Sequence, residues 1–147
     1  MKKRIIIAAV LLVLTAIVAV VYLRSRDTVK PGDILIKAPT GDVTVSLESL
    51  ELSHVSGSIT NKKGETKKID SEGYALSKIP SCAQVADYSE LTIYADDEYS
   101  AVVTKDELDQ SGDNAWLIKD KDSIRLVVFG DSDSKRDVKN VVRIEIK

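Results

Sequence analysis

One uninterrupted apolar stretch, residues 5–23, constrains this chain more than any other feature. Its nineteen residues, IIIAAVLLVLTAIVAVVYL, include no charged side chain, and thirteen of them are Leu, Ile or Val. A helix of this length measures about 28 Å, close to the roughly 30 Å hydrocarbon core of a bilayer. The stretch therefore predicts one membrane-spanning helix ahead of a water-soluble region.

A cleaved signal peptide and a retained anchor both begin with basic residues followed by an apolar run. This run exceeds the usual signal core of about 7–15 residues, and its end, AVVYLRSR, lacks an A-x-A cleavage site. A retained anchor is favoured, with cleavage as the alternative. Three basic residues precede the run, whereas Asp27 offsets one of the three basic residues that follow it. The positive-inside rule thus predicts residues 1–4 in the cytoplasm and the rest of the chain on the extracytoplasmic side.

The sequence beyond the anchor predicts a linker at residues 24–32 and one globular domain at residues 33–147. About 115 residues suffice for one core but not for two domains. Residues 31–147 carry 15 basic and 22 acidic side chains, a net charge of −7. Such a surface repels phosphate backbones, so we expect no nucleic-acid partner. The basic residues beside the anchor would meet anionic headgroups, which makes the lipid bilayer the expected partner.

Cysteine and histidine are too scarce for several kinds of site. The chain holds one cysteine, Cys82, and one histidine, His54. A single cysteine excludes an intramolecular disulfide and a CxxC motif. Cys82 and His54 together are too few ligands for a zinc site built from cysteine and histidine. No metal site is predicted, and Cys82 is expected to pack as a small apolar residue.

Short apolar and alternating runs predict a strand-rich α+β domain without a βαβ repeat. Strands are predicted at residues 33–38, 43–47, 55–60, 67–69, 90–95, 99–103, 115–118, 124–129 and 141–146. A single helical turn is predicted at 47–50, and a polar turn or short helix at 134–139. A longer helix is predicted at 73–83, where Leu76, Ile79 and Ala83 share one face. Thr104 and Glu107 form a capping-box pattern ahead of a further short helix.

A lysine-rich connection separates the third and fourth predicted strands. Residues 61–65, NKKGE, have Gly64 available for positive φ, a pattern typical of a hairpin turn. Lys62, Lys63, Lys67 and Lys68 surround the turn and are expected to be solvated.

From about Gly73 onward, the order and spacing of several short segments resemble the molybdopterin-binding domain of the sulfite-oxidase family of oxidoreductases. The segments are GYALSKI at 73–79, AQV at 83–85, YADDEYS at 94–100, KDEL at 105–108, IRLVVFG at 124–130 and KRDVKNVVRIEI at 135–146. This resemblance implies a sulfite-oxidase-like fold for the domain. It also implies that Arg125 and Lys139, which match basic positions near the family's cofactor, contact a pterin or another small anion.

The resemblance does not extend to the family's metal ligand. Family enzymes bind molybdenum through a cysteine thiolate ahead of the helix, and residues 55–72 here contain no cysteine. The expectation is therefore a non-catalytic, membrane-anchored binding or interaction module with no cofactor. One alternative is a small molybdopterin-binding oxidoreductase with altered metal ligation. Another is a scaffold subunit of a membrane complex with a membrane-protein partner.

Overall fold

A single apolar helix opens the chain. The structure, a computed structural model, describes residues 1–25, 32–110, 113–132 and 135–147. Helix α1 spans Lys2–Ser25, which is about 36 Å at 1.5 Å per residue. Its side chains are exposed throughout residues 1–22, and the helix is long and apolar enough to span a membrane, a property that a signal sequence shares. Positions 26–31 of the predicted linker lie outside the described residues.

The described part of the domain is α+β and strand-rich, as predicted. Its strands are β1 (Asp33–Ala38), β2 (Gly41–Ser46), β3 (Ser53–Thr60), β4 (Thr66–Ala75), β5 (Glu90–Ala95), β6 (Ser100–Thr104), β7 (Ala115–Asp120), β8 (Ser123–Val128) and β9 (Val141–Ile146). Two short helices, α2 (Ile79–Cys82) and α3 (Lys105–Gln110), and two 3-10 turns, Leu47–Ser49 and Leu76–Lys78, connect them.

The strands form two sheets that share one core. Sheet 1 has the order β2-β1-β9-β5-β6, and sheet 2 has the order β3-β4-β7-β8. In sheet 1 the β1–β9 pair is parallel and the other pairs are antiparallel. The final strand therefore lies at the centre of sheet 1, where Ile144 is fully buried beside Ile36 and Ile93.

A strand replaces the first part of the helix that the sequence predicts at residues 73–83. β4 continues through Ala75, and its last three residues pair with β7. A 3-10 turn and the four-residue helix α2 follow, with Pro80 in the first turn of α2. The helix prediction was wrong in extent because cross-strand pairing with Leu117 and Ile118 outweighs local helical periodicity. The predicted apolar face is nevertheless buried, since Leu76 and Ile79 are fully inaccessible.

The residue that follows one edge strand of sheet 2 packs against the other edge strand. A second apolar cluster lies on the face of sheet 2 away from the main core and comprises Val55, Ile69, Ile118 and Val127, with Ile59, Trp116 and Phe129 packed against it. A Cβ built on Gly57 in β3 would lie 2.6 Å from Cε1 of Phe129, which follows β8. The aromatic ring therefore packs directly against a glycine of the opposite edge strand.

Candidate functional site

Arg125 of β8 is one of the two residues that the sequence predicts for anion binding. It is only 8% exposed, and its guanidinium is held by Asp137. Arg125 Nε donates to Asp137 Oδ1 over 2.6 Å, and Nη2 donates to Oδ2 of the same carboxylate. This bidentate bond is the main reason that the pKa of Arg125 is raised above its usual value. The structure thus places Arg125 in an ion pair within the domain.

Lys139, the second predicted residue, is exposed and borders a cleft of about 380 Å³. The cleft is lined by Ala95, Asp96, Asp97, Tyr99, Asp137, Lys139 and Asn140. Asp137 belongs both to this lining and to the ion pair with Arg125, so one carboxylate connects the two predicted residues. We refer to this space as the β5–β6 cleft, because the turn between those strands forms much of its wall.

Backbone hydrogen bonds fix the shape of the β5–β6 cleft. The Asp96 amide donates to the Asn140 carbonyl over 3.1 Å, which joins the turn to the entry of β9. Within the turn, the Tyr99 amide donates to Asp97 Oδ1 over 3.1 Å. Glu98 and Asn140 both adopt positive φ, a conformation that Asn tolerates better than Glu. The carboxylates of the cleft therefore stand on a backbone with a defined shape.

Arg136 ties the segment before β9 to helix α3. Its Nε donates to Asp131 Oδ2 over 2.8 Å, and its Nη1 donates to Glu107 Oε1 over 2.8 Å. Glu107 also accepts from the Thr104 amide over 2.9 Å, and the Glu107 amide donates to the Thr104 hydroxyl. The predicted capping box is thus confirmed. The hydrogen bond from the Thr104 amide lowers the pKa of Glu107 most, and the hydrogen bond from Arg136 lowers it further.

The charges of the β5–β6 cleft suit an anionic ligand poorly. Three aspartates and one lysine line it, and only Asp137 is neutralised by the arginine that it binds. A pterin phosphate beside Asp96 and Asp97 would face net negative charge. In the described ranges, no group of three or more His, Cys, Asp or Glu side chains could hold a metal ion. The charges that line the β5–β6 cleft are therefore unfavourable for an anionic pterin group.

Sequence reasoning did not find Asp137 or Tyr99. Asp137 lies twelve positions after Arg125, on an irregular segment, and no periodicity joins the two. Tyr99 donates its hydroxyl to the carbonyl of Lys135, a contact between segments 36 positions apart. One signal was available: Arg125 is the single charged residue in the apolar run 124–129, and a buried arginine needs an acidic partner.

A second polar group lies on the face of sheet 1 away from the core. The Arg143 guanidinium stacks on the Tyr94 ring, with 4.1 Å from Cζ to the ring centroid. The same arginine donates to Glu98 over 3.1 Å and lies 3.4 Å from Glu145, which accepts from the Tyr94 hydroxyl. These contacts join the aromatic ring and the charged groups to one another, although the buried Arg143 Nε has no hydrogen-bond partner among the described residues.

Comparison with known proteins assigns no family to this chain. No family model matches the sequence, and no curated protein matches it.

Proposed function

We propose that this chain is a membrane-anchored, non-catalytic binding or interaction module whose domain lies on the extracytoplasmic side. One observation carries the proposal. An exposed apolar helix precedes a folded domain in which the least exposed arginines form ion pairs with carboxylates of the same domain. Every described side chain of α1 is exposed, and a solvated surface of that apolarity is costly unless lipid covers it. The grooves along α1, such as the one lined by Leu11, Leu14 and Val18, are spaces that acyl chains would fill.

The domain itself supports binding better than catalysis. Catalysis by general acid and base needs a positioned group whose pKa lies near the working pH. In the described residues, the arginines at the core boundary instead serve structure: Arg125 binds Asp137, and Arg136 binds Asp131 and Glu107. These pairs hold the chain between β8 and β9 in place. The sulfite-oxidase-like fold belongs to the same proposal and rests on the order of the sequence segments.

Anchoring is tested by membrane fractionation of cells that express the full chain. We expect the intact mass of the chain in the membrane pellet after an alkaline wash. A matched pair of variants sharpens the result. Leu11→Arg with Leu14→Arg adds about 2.5–3.5 kcal/mol per charge at the helix centre and should release the chain, whereas Leu11→Ile with Leu14→Ile should not. A soluble product that starts beyond α1 would instead identify a cleaved signal sequence.

Sidedness is tested with protease added outside spheroplasts. The proposal predicts that the domain is digested while the cells remain closed. Neutral replacement of Lys2, Lys3 and Arg4 should reduce that digestion, because those charges orient the helix. Full protection of the wild-type domain would place it in the cytoplasm and overturn this part of the proposal.

The cofactor content of the purified protein distinguishes a non-catalytic binding module from an oxidoreductase. Full chain purified from cells that make molybdopterin should carry neither molybdenum nor a pterin absorbance. Stoichiometric molybdenum would establish the alternative of an oxidoreductase with altered ligation.

A further inference from the structure

We propose that the tip of the β3–β4 hairpin, residues 58–68, docks on the anionic phosphate headgroups of the bilayer that holds α1. The inference rests on the membrane anchoring proposed above. It assigns an orientation to the domain, with the hairpin tip facing the lipid and the acidic surface facing away.

Charge separation within the domain is the first argument. The hairpin tip carries Lys62, Lys63, Lys67 and Lys68 against one acid, Glu65, a net charge of +3. The remainder of residues 31–147 carries 11 basic and 21 acidic side chains, a net charge of −10. A body with this distribution turns its positive end towards a negative surface, and the attraction acts within a Debye length of about 8 Å at physiological salt.

The availability of the lysines is the second argument. All four are exposed, and none forms an ion pair with any residue in the described ranges. The one acid at the tip is already engaged, because Asn61 Nδ2 donates to Glu65 Oε2 over 2.7 Å. The ammonium groups are therefore free to exchange water for lipid phosphate.

The rigidity of the tip is the third argument. Asn61 Oδ1 accepts from the amides of Lys63 and Glu65, both over 2.9 Å, and Gly64 adopts φ +81°. The strands are paired up to the turn, with Thr60 opposite Thr66. Little conformational entropy is then lost when this loop meets a surface.

The tether is the fourth argument. Seven residues, 26–32, separate helix α1 from strand β1, and fully extended chain covers at most about 3.6 Å per residue, or about 25 Å. A compact domain of this size has a radius of gyration of about 13 Å. The domain is thus held within about its own diameter of the headgroups, where local lipid concentration is high.

The experiment uses the full chain in nanodiscs that contain a trace of lipid with a gadolinium-chelating headgroup. One set of discs is phosphatidylcholine, and the other mixes in phosphatidylglycerol. The readout is paramagnetic broadening of the backbone amides at 62–64, compared with those of the acidic turn at 96–98. Four lysines near an anionic surface, opposed by the net acidity of the domain, should favour the docked orientation on the order of tenfold. We expect strong broadening at 62–64 in anionic discs, little at 96–98, and loss of the difference at high salt.

Matched variants distinguish an effect of the hairpin-tip lysines from an effect of the net charge of the domain. Replacing Lys62, Lys63 and Lys68 by Gln should abolish the broadening at 62–64. Replacing three exposed lysines elsewhere, Lys37, Lys119 and Lys121, by Gln changes net charge equally and should preserve it. Equal loss in both variants would overturn the assignment to the hairpin tip.

Two further outcomes are informative. Broadening at 62–64 that is the same in zwitterionic discs would overturn the role of anionic headgroups. Saturable shifts of the same amides by a soluble polyphosphate, without broadening in anionic discs, would assign the tip to a free polyanion and overturn docking on the bilayer.

A nitroxide placed on the lipid acyl chains reports insertion of α1 independently. If α1 signals are not broadened by it, the anchoring proposal fails; if they are and the hairpin stays distant, only the docking inference fails.

Discussion

The β3–β4 hairpin and the β8–β9 connection, residues 129–140, are both rich in charge, but their charges have different uses. The hairpin takes its shape from backbone pairing and from the side chain of Asn61, so its lysines are free. The described part of the β8–β9 connection is irregular, and side chains hold it: Asp137 binds Arg125, and Arg136 binds Asp131 and Glu107. Backbone hydrogen bonds assist them, including the bridge between Val138 and Leu126.

The difference distinguishes charged groups that stabilise the fold from charged groups that are available to contact a partner. A charged group that is buried against one partner cannot be removed without leaving that partner unpaired. A charged group on a hairpin whose backbone is already satisfied can be removed at little cost to folding. The two regions therefore respond oppositely to the same kind of substitution.

The largest effect is expected from Arg125→Met. The substitution keeps the volume of the side chain but leaves the Asp137 carboxylate, about 15% exposed, without its bidentate partner. Loss of one member of a buried pair costs about 3–5 kcal/mol, and partial exposure of Asp137 places the expected loss near the lower bound. The measurement is chemical unfolding of the full chain in nanodiscs, followed by fluorescence of Trp116, the one tryptophan.

A double variant tests the reason for that loss. Arg125→Met with Asp137→Leu removes both charges and should recover most of the stability, because no unpaired carboxylate remains. A double variant as unstable as the single one would show that packing of the arginine, and not the ion pair, is what matters.

A smaller effect is expected where the two regions meet. Gly57→Ala places a Cβ 2.6–2.9 Å from three atoms of the Phe129 ring, closer than van der Waals contact allows. The ring is partly buried and must shift, so we expect a loss of about 1–2 kcal/mol from overpacking. Phe129→Leu in the Gly57→Ala background should relieve part of it. Unchanged stability in Gly57→Ala would show that the ring moves freely and that its contact with β3 does not stabilise the fold.

Regular elements of the fold were predictable because their causes are local. Alternation predicted β9 and the apolar run predicted β8, and both strands form at nearly the predicted positions. The end of β4 was not predictable, since residues 73–75 lie directly before the helical pattern of Leu76, Ile79 and Ala83 but pair with β7. The close approach of Phe129 to Gly57 joins positions 72 apart in sequence, and no short pattern encodes it.

The site was predictable only in part for the same reason. Arg125 was singled out only through the family resemblance, and its partner Asp137 depends on the path of the irregular β8–β9 connection. Part of the turn predicted at 134–139 lies outside the described residues, since Ser134 is not among them. The resemblance predicted a cofactor role for Arg125, whereas the geometry pairs its guanidinium with an internal carboxylate.

A pH-dependent effect is expected from Glu107. Its pKa is lowered by the Thr104 amide and by Arg136 in the folded chain, relative to an ordinary value of 4.5. Its stabilising contribution is therefore complete above pH 4.5 and is lost as the pH falls through the lowered folded pKa. The carboxylate is more than a third exposed, so the contribution is at most about 1 kcal/mol. Glu107→Gln should lower stability at neutral pH and have little effect in acid, as measured by unfolding at both pH values. A loss of equal size in acid would assign the effect to the altered side chain and not to its charge.

The smallest effect is expected from the hairpin tip, and it makes the contrast between the two regions quantitative. Replacing Lys62, Lys63, Lys67 and Lys68 by Gln removes four charges, yet each side chain is exposed and the turn is held by Asn61, so stability should change by less than about 0.5 kcal/mol. Arg136→Gln removes a single charge but leaves Asp131 and Glu107 without their shared donor, and should cost about 1–2 kcal/mol. The measurement compares the free energies of unfolding of the two variants in the same nanodiscs. A hairpin variant less stable than Arg136→Gln would mean that the lysines stabilise the fold, and their freedom to contact lipid would have to be abandoned.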